Sequence, residues 1–287
     1  MIENKNYWEE VIQSLKNQDD YKDLIKSCYY DDPIEEALNR FENSKEWIEL
    51  KNVHAKYGVK LGKVLDFGAG RGIASLALAK MGYEVYAFDG NSGNNAGLNS
   101  IKQLIKKLNL KINLCKGNFD RLPFDDNFFD LVYSRQSLHH APNITISCLE
   151  ICRVLKKKSF FITVKDHVID RIEDKKIFLK NHPLHKYTRD ENAHLLSDYL
   201  NAFENSGFKI LKTFKTYSSP LNYCPNNIES ILLHYTKSKF LIRKDWFKII
   251  IKKNNIISKF IKLILIFLIN ARNRTPGRPY SFMLKKK

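Results

Sequence analysis

The stretch that decides the fold is Val64-Leu-Asp-Phe-Gly-Ala-Gly-Arg-Gly72, where a short apolar run leads into three closely spaced glycines. The apolar run is typical of a buried strand, and the pattern after it predicts a helix over Ile73 to Met81. Glycines between the two let the backbone turn tightly and approach a bound group closely. The sequence therefore predicts a ligand site at this strand-to-helix turn.

Outward from this stretch, short apolar runs alternate with helical patterns. Further strands are predicted over residues 84–88, 112–116, 130–134, 160–164, 208–217 and 280–284, and helices over 98–108, 144–155 and 191–207. Strands that alternate with helices form parallel βαβ units in a covered sheet. The predicted fold class is therefore α/β, with a doubly wound, mostly parallel, seven-stranded sheet.

The remaining segments are predicted to add helices at both ends of this core. Near the N-terminus, Asp32-Pro33 followed by two acids has the residues that favour a helix start. The predicted segments are a helical N-terminal cap (1–57), the core (58–217), a basic helical insertion before the last strand (218–276) and a closing strand with a basic tail (277–287).

Composition points to a reducing compartment. The chain has 287 residues and five cysteines, and no two of these form a CxxC pair, so neither a disulfide framework nor a zinc knuckle is predicted. The first ten residues are polar and acidic and lack the apolar region of a signal peptide. A cytoplasmic protein is expected.

The net charge of +17 is concentrated near the C-terminus. Residues 236–287 hold fifteen Lys or Arg and the single acid Asp245. Only eleven of the 48 basic residues in the chain are Arg, the side chain that recognises phosphate with two hydrogen bonds. The excess of Lys over Arg favours a diffuse attraction to negatively charged surfaces over specific recognition of a nucleic acid. A nucleic-acid partner is therefore not expected.

The basic segment 240–269 has two interpretations. Lysines recur every four residues from Lys244 to Lys252, with Trp246 and Ile250 on the opposite side, as in an amphipathic helix. In the first interpretation the helices cover the active site and bury their apolar faces in the core. In the second they lie on an anionic membrane surface, which would make the protein peripheral at the inner membrane surface.

The glycine spacing and two acids indicate the ligand. A dinucleotide fingerprint has a third glycine where this chain has Ile73. Asp66, two residues before the first glycine, would repel a pyrophosphate but attract an ammonium group. Asp89 ends the second strand, where a carboxylate can accept hydrogen bonds from a ribose diol. A nucleoside joined to an amino acid fits this pattern better than a dinucleotide does.

Five motifs together resemble one protein family. They are the glycine stretch itself, Phe88-Asp89, Gly117-Asn-Phe-Asp-Arg-Leu-Pro-Phe124, Phe129-Asp-Leu-Val132 and Leu138-His-His140. In this order they are similar to the motifs of class I S-adenosylmethionine-dependent methyltransferases of the UbiE-like type, or methyltransferase type 11. The resemblance implies the class I methyltransferase fold. It also implies methyl transfer as the activity and S-adenosyl-L-methionine as the cofactor.

The resemblance also implies which residues hold the cofactor. They are Asp66, Gly68, Ala69, Gly70 and Gly72 for the methionine part, Asp89 for the ribose, Asn118 and Phe119 for the adenine edge, and Arg135 beside cofactor and acceptor. The chain departs from the family at Asn118, where aspartate is usual. It also has Lys157-Lys158-Ser159 in place of a Pro-Gly-Gly turn.

Histidines crowd the predicted pocket. Six of the eight lie between residues 139 and 194. His139 and His140 follow the fourth strand and His167 follows the fifth, at the sheet edge where ligands bind in open α/β folds. These three are candidate general bases. His182 and His185 are predicted to contact the acceptor as part of a lid.

A metal site is the alternative use of these histidines, because imidazoles and Asp166 could gather around a divalent ion. No HExxH or similar spacing supports it, so no metal is predicted.

The predicted function is methyl transfer to a small molecule, a glycan precursor or a lipid-linked acceptor, at a hydroxyl oxygen because histidines crowd the pocket. The basic tail suggests an RNA methyltransferase as a rival, although no RNA-binding module accompanies it. A non-catalytic module that keeps the fold for assembly or regulation is the second rival.

Overall fold

The computed structural model describes residues 7–185, 191–240, 253 and 255–287. Four helices precede the sheet, and further helices lie between and after the strands. The helices are α1 (Tyr7–Lys16), α2 (Lys22–Ser27), α3 (Ile34–Glu42), α4 (Lys45–Tyr57), α5 (Ile73–Lys80), α6 (Lys102–Lys107), α7 (Ile144–Val154), α8 (Asp174–Asn181), α9 (Leu196–Asn205), α10 (Pro220–Tyr223), α11 (Ile228–Phe240) and α12 (Ile256–Arg272).

One mostly parallel sheet forms the centre of the molecule. Its strands are β1 (Lys63–Phe67), β2 (Glu84–Asp89), β3 (Ile112–Lys116), β4 (Phe129–Arg135), β5 (Leu155–Ile169), β6 (His194–Leu195), β7 (Phe208–Phe214) and β8 (Arg278–Lys286). The order is β3-β2-β1-β4-β5-β8-β7, and the two-residue β6 pairs with β5. Strand β8 is antiparallel to both of its neighbours. The predicted fold class is confirmed.

Several predicted boundaries differ from the structure. Strand β5 runs from Leu155 to Ile169 instead of over residues 160–164, so His167 lies within it and does not follow it, and strand β7 ends at Phe214 instead of residue 217. Leu155 pairs with Phe129, and a bulge that includes Lys158 at φ +65° precedes the regular pairing from Phe160. The helix predicted from residue 191 begins at Leu196, and His194–Leu195 pairs with β5 instead. A two-residue strand has no period that a sequence pattern can detect.

Helices cover both faces of the sheet because side chains alternate along each strand. In β1, Val64 packs with residues of α3, α4 and α5. The next residue, Leu65, packs with residues of α7 and α9 on the opposite face. Helix α4 has a defined start, since the Ser44 side chain accepts a hydrogen bond from the backbone N–H of Trp47.

The N-terminal helices are tied to the glycine turn. Arg71, inside the turn, is buried and donates to the carbonyl oxygens of Tyr29 and Asp31. From α1, Glu9 accepts hydrogen bonds from the backbone N–H groups of Asn95 and Ala96, in the segment after β2. These helices therefore lie over the turn that follows β1.

Helix α12 buries only one side. Leu265 and Ile269 pack against Leu232 of α11. Its other side exposes a row of large apolar residues, namely Ile256, Ile257, Phe260, Leu263, Ile264 and Phe267. This differs from the expectation that the apolar faces of segment 240–269 are buried in the core. Residues 241–252 and 254 of that segment lie outside the described part of the chain.

Within the residues that the structure describes, no helix has both the length and the apolar character to cross a bilayer.

Candidate active site

The turn after β1 requires glycine at two positions. Gly68 has φ +73°, in the left-handed region, and a Cβ there would overlap the hydroxyl group of Ser137. Gly72 has φ +77°, and a Cβ there would lie 2.6 Å from Cδ1 of Ile101. The turn is thus held close to the segment after β4, and it presents bare backbone toward the edge of the sheet.

Asp89 lies at the end of β2 and anchors the same turn. Its Oδ2 accepts from the Gly70 N–H at 2.8 Å, and its Oδ1 accepts from the Asn91 N–H at 2.7 Å. Burial raises the pKa of this carboxyl group above its usual value. Each oxygen keeps a second lone pair, so the carboxylate can still accept from a diol.

Asp66 lies on β1 beneath the turn and is fully buried. The Ser75 hydroxyl, on α5, donates to its Oδ2 at 2.5 Å. Burial raises the pKa of Asp66 to about 7, and the nearby charge of Asp89 adds to this. An ammonium group placed beside Asp66 would stabilise its ionised form and lower that pKa.

The predicted adenine residues follow β3. Asn118 is exposed. The Phe119 ring packs on Phe67, with 4.3 Å between ring centroids, and it lies near the point where a Cβ on Gly68 would be. Phe119 therefore forms an apolar wall next to the glycine turn, where a flat base could pack.

Arg135 ends β4, and its guanidinium group is paired with the N-terminal cap. Its Nε donates to Oε1 of the buried Glu46 at 2.6 Å, and its Nη1 donates to Gln136 at 2.8 Å. Lys165 donates to the other oxygen of Glu46. Burial opposes the charge of Glu46, but Arg135 and Lys165 outweigh it and hold the Glu46 pKa below its usual value. The predicted cofactor role of Arg135 stays a prediction.

The residues around the turn fit an adenosyl amino acid. A buried acid lies under the turn, a second acid ends the neighbouring strand, and glycine backbone lies between them. The Ser137 hydroxyl is buried and has no hydrogen-bond partner among the described residues. It packs against Gly68, at the place where a Cβ would lie, so a ligand over the glycine turn that reached this hydroxyl would satisfy it. Sequence patterns did not identify Ser137, although it directly precedes the Leu-His-His motif.

The candidate bases lie together at the same edge. His139 is buried, and its Nδ1 lies 3.0 Å from Oδ1 of Asp166. The rings of His139 and His167 have centroids 4.5 Å apart. The Nδ1–H of His167 donates to the Gly277 carbonyl oxygen, which leaves its Nε2 with a free lone pair. Burial lowers the pKa of both imidazoles, to about 4 for His167.

The other predicted histidines surround this pair. The His140 ring packs on His139 with centroids 4.2 Å apart. His182 lies 5.6 Å from His167, measured between ring centroids. A cleft of about 470 Å³ is lined by His182, His185 and Tyr21 of the N-terminal cap, whereas His139, His140 and His167 do not line it. This cleft is the candidate place for the acceptor.

Comparison with known proteins gives the class. Residues 65–163 match the family model described as a methyltransferase domain. Among solved structures, geranyl diphosphate C-methyltransferase from Streptomyces coelicolor aligns with a TM-score of 0.56 at 13% identity, over 98% of each chain. A structure described as a sarcosine dimethylglycine methyltransferase of Galdieria sulphuraria aligns with a TM-score of 0.55 at 20% identity, over 88% of this chain and 87% of that one.

The chain therefore contains a methyltransferase domain with the class I fold. A curated relative is the sterol 24-C-methyltransferase of Aspergillus fumigatus, which is 30% identical over 195 residues. The alignment covers 60% of this chain and 48% of the relative. The chain thus spans about half the length of this relative, and the narrower UbiE-like assignment stays a prediction.

Proposed function

We propose that this chain transfers a methyl group from S-adenosyl-L-methionine to a small-molecule, glycan-precursor or lipid-linked acceptor. The observation that carries the proposal is the cradle formed by the glycine turn, Asp89 and the Ser137 hydroxyl, which has no hydrogen-bond partner in the described part of the chain. It lies at the sheet edge where class I folds bind their ligands. The titration of Asp89→Ala described in the Discussion tests the cofactor half of this proposal.

The residues have separate tasks in this reaction. When bound, the sulfonium cofactor supplies an already activated methyl group. Asp66 and Asp89 would hold its ammonium and ribose groups, and the glycine backbone would let it lie close to β1. The N-terminal helices, tied down by Arg71 and Glu9, exclude water from the turn. The residues on the acceptor side then have two tasks, which are to align the acceptor with the methyl group and to take up the acceptor's proton.

The acceptor atom in this proposal is a hydroxyl oxygen, because loss of a hydroxyl proton needs a base. His139 or His167 is that base. His167 has a free Nε2 lone pair, and His139 is oriented by Asp166 from behind. Burial lowers the pKa of both imidazoles, so each is uncharged near pH 7 and can accept a proton, although less strongly than an exposed histidine.

Replacing the base by alanine is expected to slow methyl transfer by about 100-fold or more, the usual contribution of a positioned base. The measurement is transfer of labelled methyl to an acceptor found by screening hydroxylated compounds and isoprenoid lipids, in His139→Ala and His167→Ala. The exposed His234 provides a control, since His234→Ala removes an imidazole from α11. Full activity in both His139→Ala and His167→Ala would show that neither histidine is the general base.

A second candidate is methyl transfer to carbon in an isoprenoid lipid. The curated relative named above is a sterol C-methyltransferase by its name. The exposed apolar row on α12 supports a lipid acceptor, because such a row would lie in the interfacial layer where a lipid is found. The acceptor screen decides between the two, because the methylated atom can be read from the product.

We further propose that α12 contacts anionic membranes through its apolar row, with the basic C-terminal quarter adding electrostatic attraction. Sedimentation with anionic phospholipid vesicles at low salt is expected to carry the protein down. The double variant Phe260→Glu/Phe267→Glu should bind at least about tenfold more weakly, since it removes two aromatic anchors. Leu61→Glu, at an exposed site before β1, is the matched control. If the protein does not sediment with these vesicles, the proposed membrane contact is wrong.

A further inference from the structure

Three side chains from distant parts of the sequence meet next to His182, one of the residues that line the cleft. One ligand-type atom from each of His139, His167 and Glu191 lies within 4.8 Å of the other two. His139 follows β4, His167 lies on β5, and Glu191 precedes β6. Two imidazole nitrogens with one carboxylate oxygen are a common donor set for divalent transition metals.

The ring nitrogens that face the cluster are the ones that a metal would need. His167 uses its Nδ1–H on the Gly277 carbonyl oxygen at 2.8 Å, so the lone pair is on Nε2. His139 has Nδ1 beside Asp166, and its Nε2 lies 3.9 Å from Oε2 of Glu191. On both histidines Nδ1 has a hydrogen-bond partner, so Nε2 is the nitrogen left to bind an ion.

Asp166 has the position of an outer-sphere carboxylate. Its Oδ1 lies 3.0 Å from His139 Nδ1 and accepts from the His139 backbone N–H at 3.1 Å, while Thr163 donates to its Oδ2. Metal-bound histidines almost always pair their second ring nitrogen in this way, since the pairing fixes the ring and the tautomer. The carbonyl of Gly277 does the same for His167.

Glu191 supplies an independent sign of a missing ligand. Its side chain is only 10% exposed, and its Oε2 has no hydrogen-bond partner among the described residues. His182 lies near the same oxygen, with 3.8 Å between its Nε2 and the carboxylate. A buried carboxylate oxygen without a donor is costly unless a cation or a polar ligand joins it.

We propose that His139, His167 and Glu191 bind one divalent transition metal ion. Ligand atoms about 2.1 Å from a tetrahedral ion lie about 3.4 Å apart, so the cluster would contract slightly on binding. Three protein ligands leave a coordination position open for an oxygen of a bound molecule. In the proposed methyl transfer that position would take the acceptor oxygen, and the ion would then acidify the acceptor hydroxyl, which releases its proton to water, in place of a histidine base. This role alone rests on the proposed function.

The test is calorimetric titration of the chelator-treated full chain with Zn²⁺, and separately with Mn²⁺, in the absence of cofactor. One ion per chain is expected to bind. His167→Ala and Glu191→Gln should each weaken binding at least 100-fold, and Asp166→Asn about 10-fold to 100-fold. His234→Ala, which removes an exposed imidazole, should bind as the wild type does. Circular dichroism melting of each variant confirms that it is folded.

Glu191→Gln keeps the size of the side chain and remains decisive if His167→Ala does not fold. Absence of ion binding in the wild type would overturn the site, as would equal affinity in Glu191→Gln. An equal loss in His234→Ala would show binding to surface histidines and overturn it as well. None of these outcomes depends on methyl transfer, because the ion is measured without cofactor, and a chain without a metal leaves His167 Nε2 free to act as the base.

Discussion

Asp89→Ala is expected to weaken binding of S-adenosylmethionine and of its demethylated product by about 100-fold or more. The side chain would accept two charge-assisted hydrogen bonds from the ribose, each worth about 1.5–3 kcal/mol. It also accepts from the Gly70 and Asn91 N–H groups, so its loss loosens the glycine turn. Isothermal titration calorimetry of the wild type and the variant measures the change.

Two further variants show whether the loss of cofactor binding is specific to the Asp89 carboxylate. Glu204→Ala removes an exposed acid from α9 and should bind the cofactor as the wild type does. Asp89→Asn keeps one acceptor oxygen and should fall between the wild type and Asp89→Ala. Binding by Asp89→Ala within about threefold of the wild type would contradict the ribose assignment. No binding by the wild type itself would favour the non-catalytic module.

Glu46→Ala is expected to lower the free energy of unfolding by about 3–5 kcal/mol, the usual cost of leaving a buried charge without its partner. Glu46 is 1% exposed and is the shared anion for Arg135 and Lys165. Its removal leaves two cations in the interior between α4 and the sheet. Urea unfolding followed by circular dichroism gives the free energy.

The control is Glu35→Ala on α3, whose carboxylate lies 3.5 Å from Lys107 with both side chains well exposed. An exposed pair of this kind contributes about 0–1 kcal/mol. If Glu46→Ala lowers the free energy of unfolding no more than Glu35→Ala does, then Arg135 and Lys165 reach water or each find another partner. The same variant also reports whether the N-terminal helices stay on the core, because Glu46 joins α4 to β4 and β5.

The sequence by itself determined the class of the fold, and it located the glycine turn and the strand-end acid Asp89, whose contact with a cofactor stays a prediction. Both depend on local patterns, because strand and helix periods can be read over short windows. Gly68 and Gly72 were identifiable from the glycine spacing directly after an apolar run, and the structure adds that a side chain at either position would clash with a neighbouring residue. Asp89 was identifiable from its place at a strand end.

Only the tertiary structure decided which side chains share a site. Glu46 meets Arg135 and Lys165 across 89 and 119 residues of sequence. His139, His167 and Glu191 come together in the same way, and Glu191 carries no local mark that separates it from a surface acid. Such contacts depend on strand order, on register and on the path of the connecting loops. Residue periodicity holds no information about these, so the cluster of His139, His167 and Glu191 became visible only once the sheet was assembled.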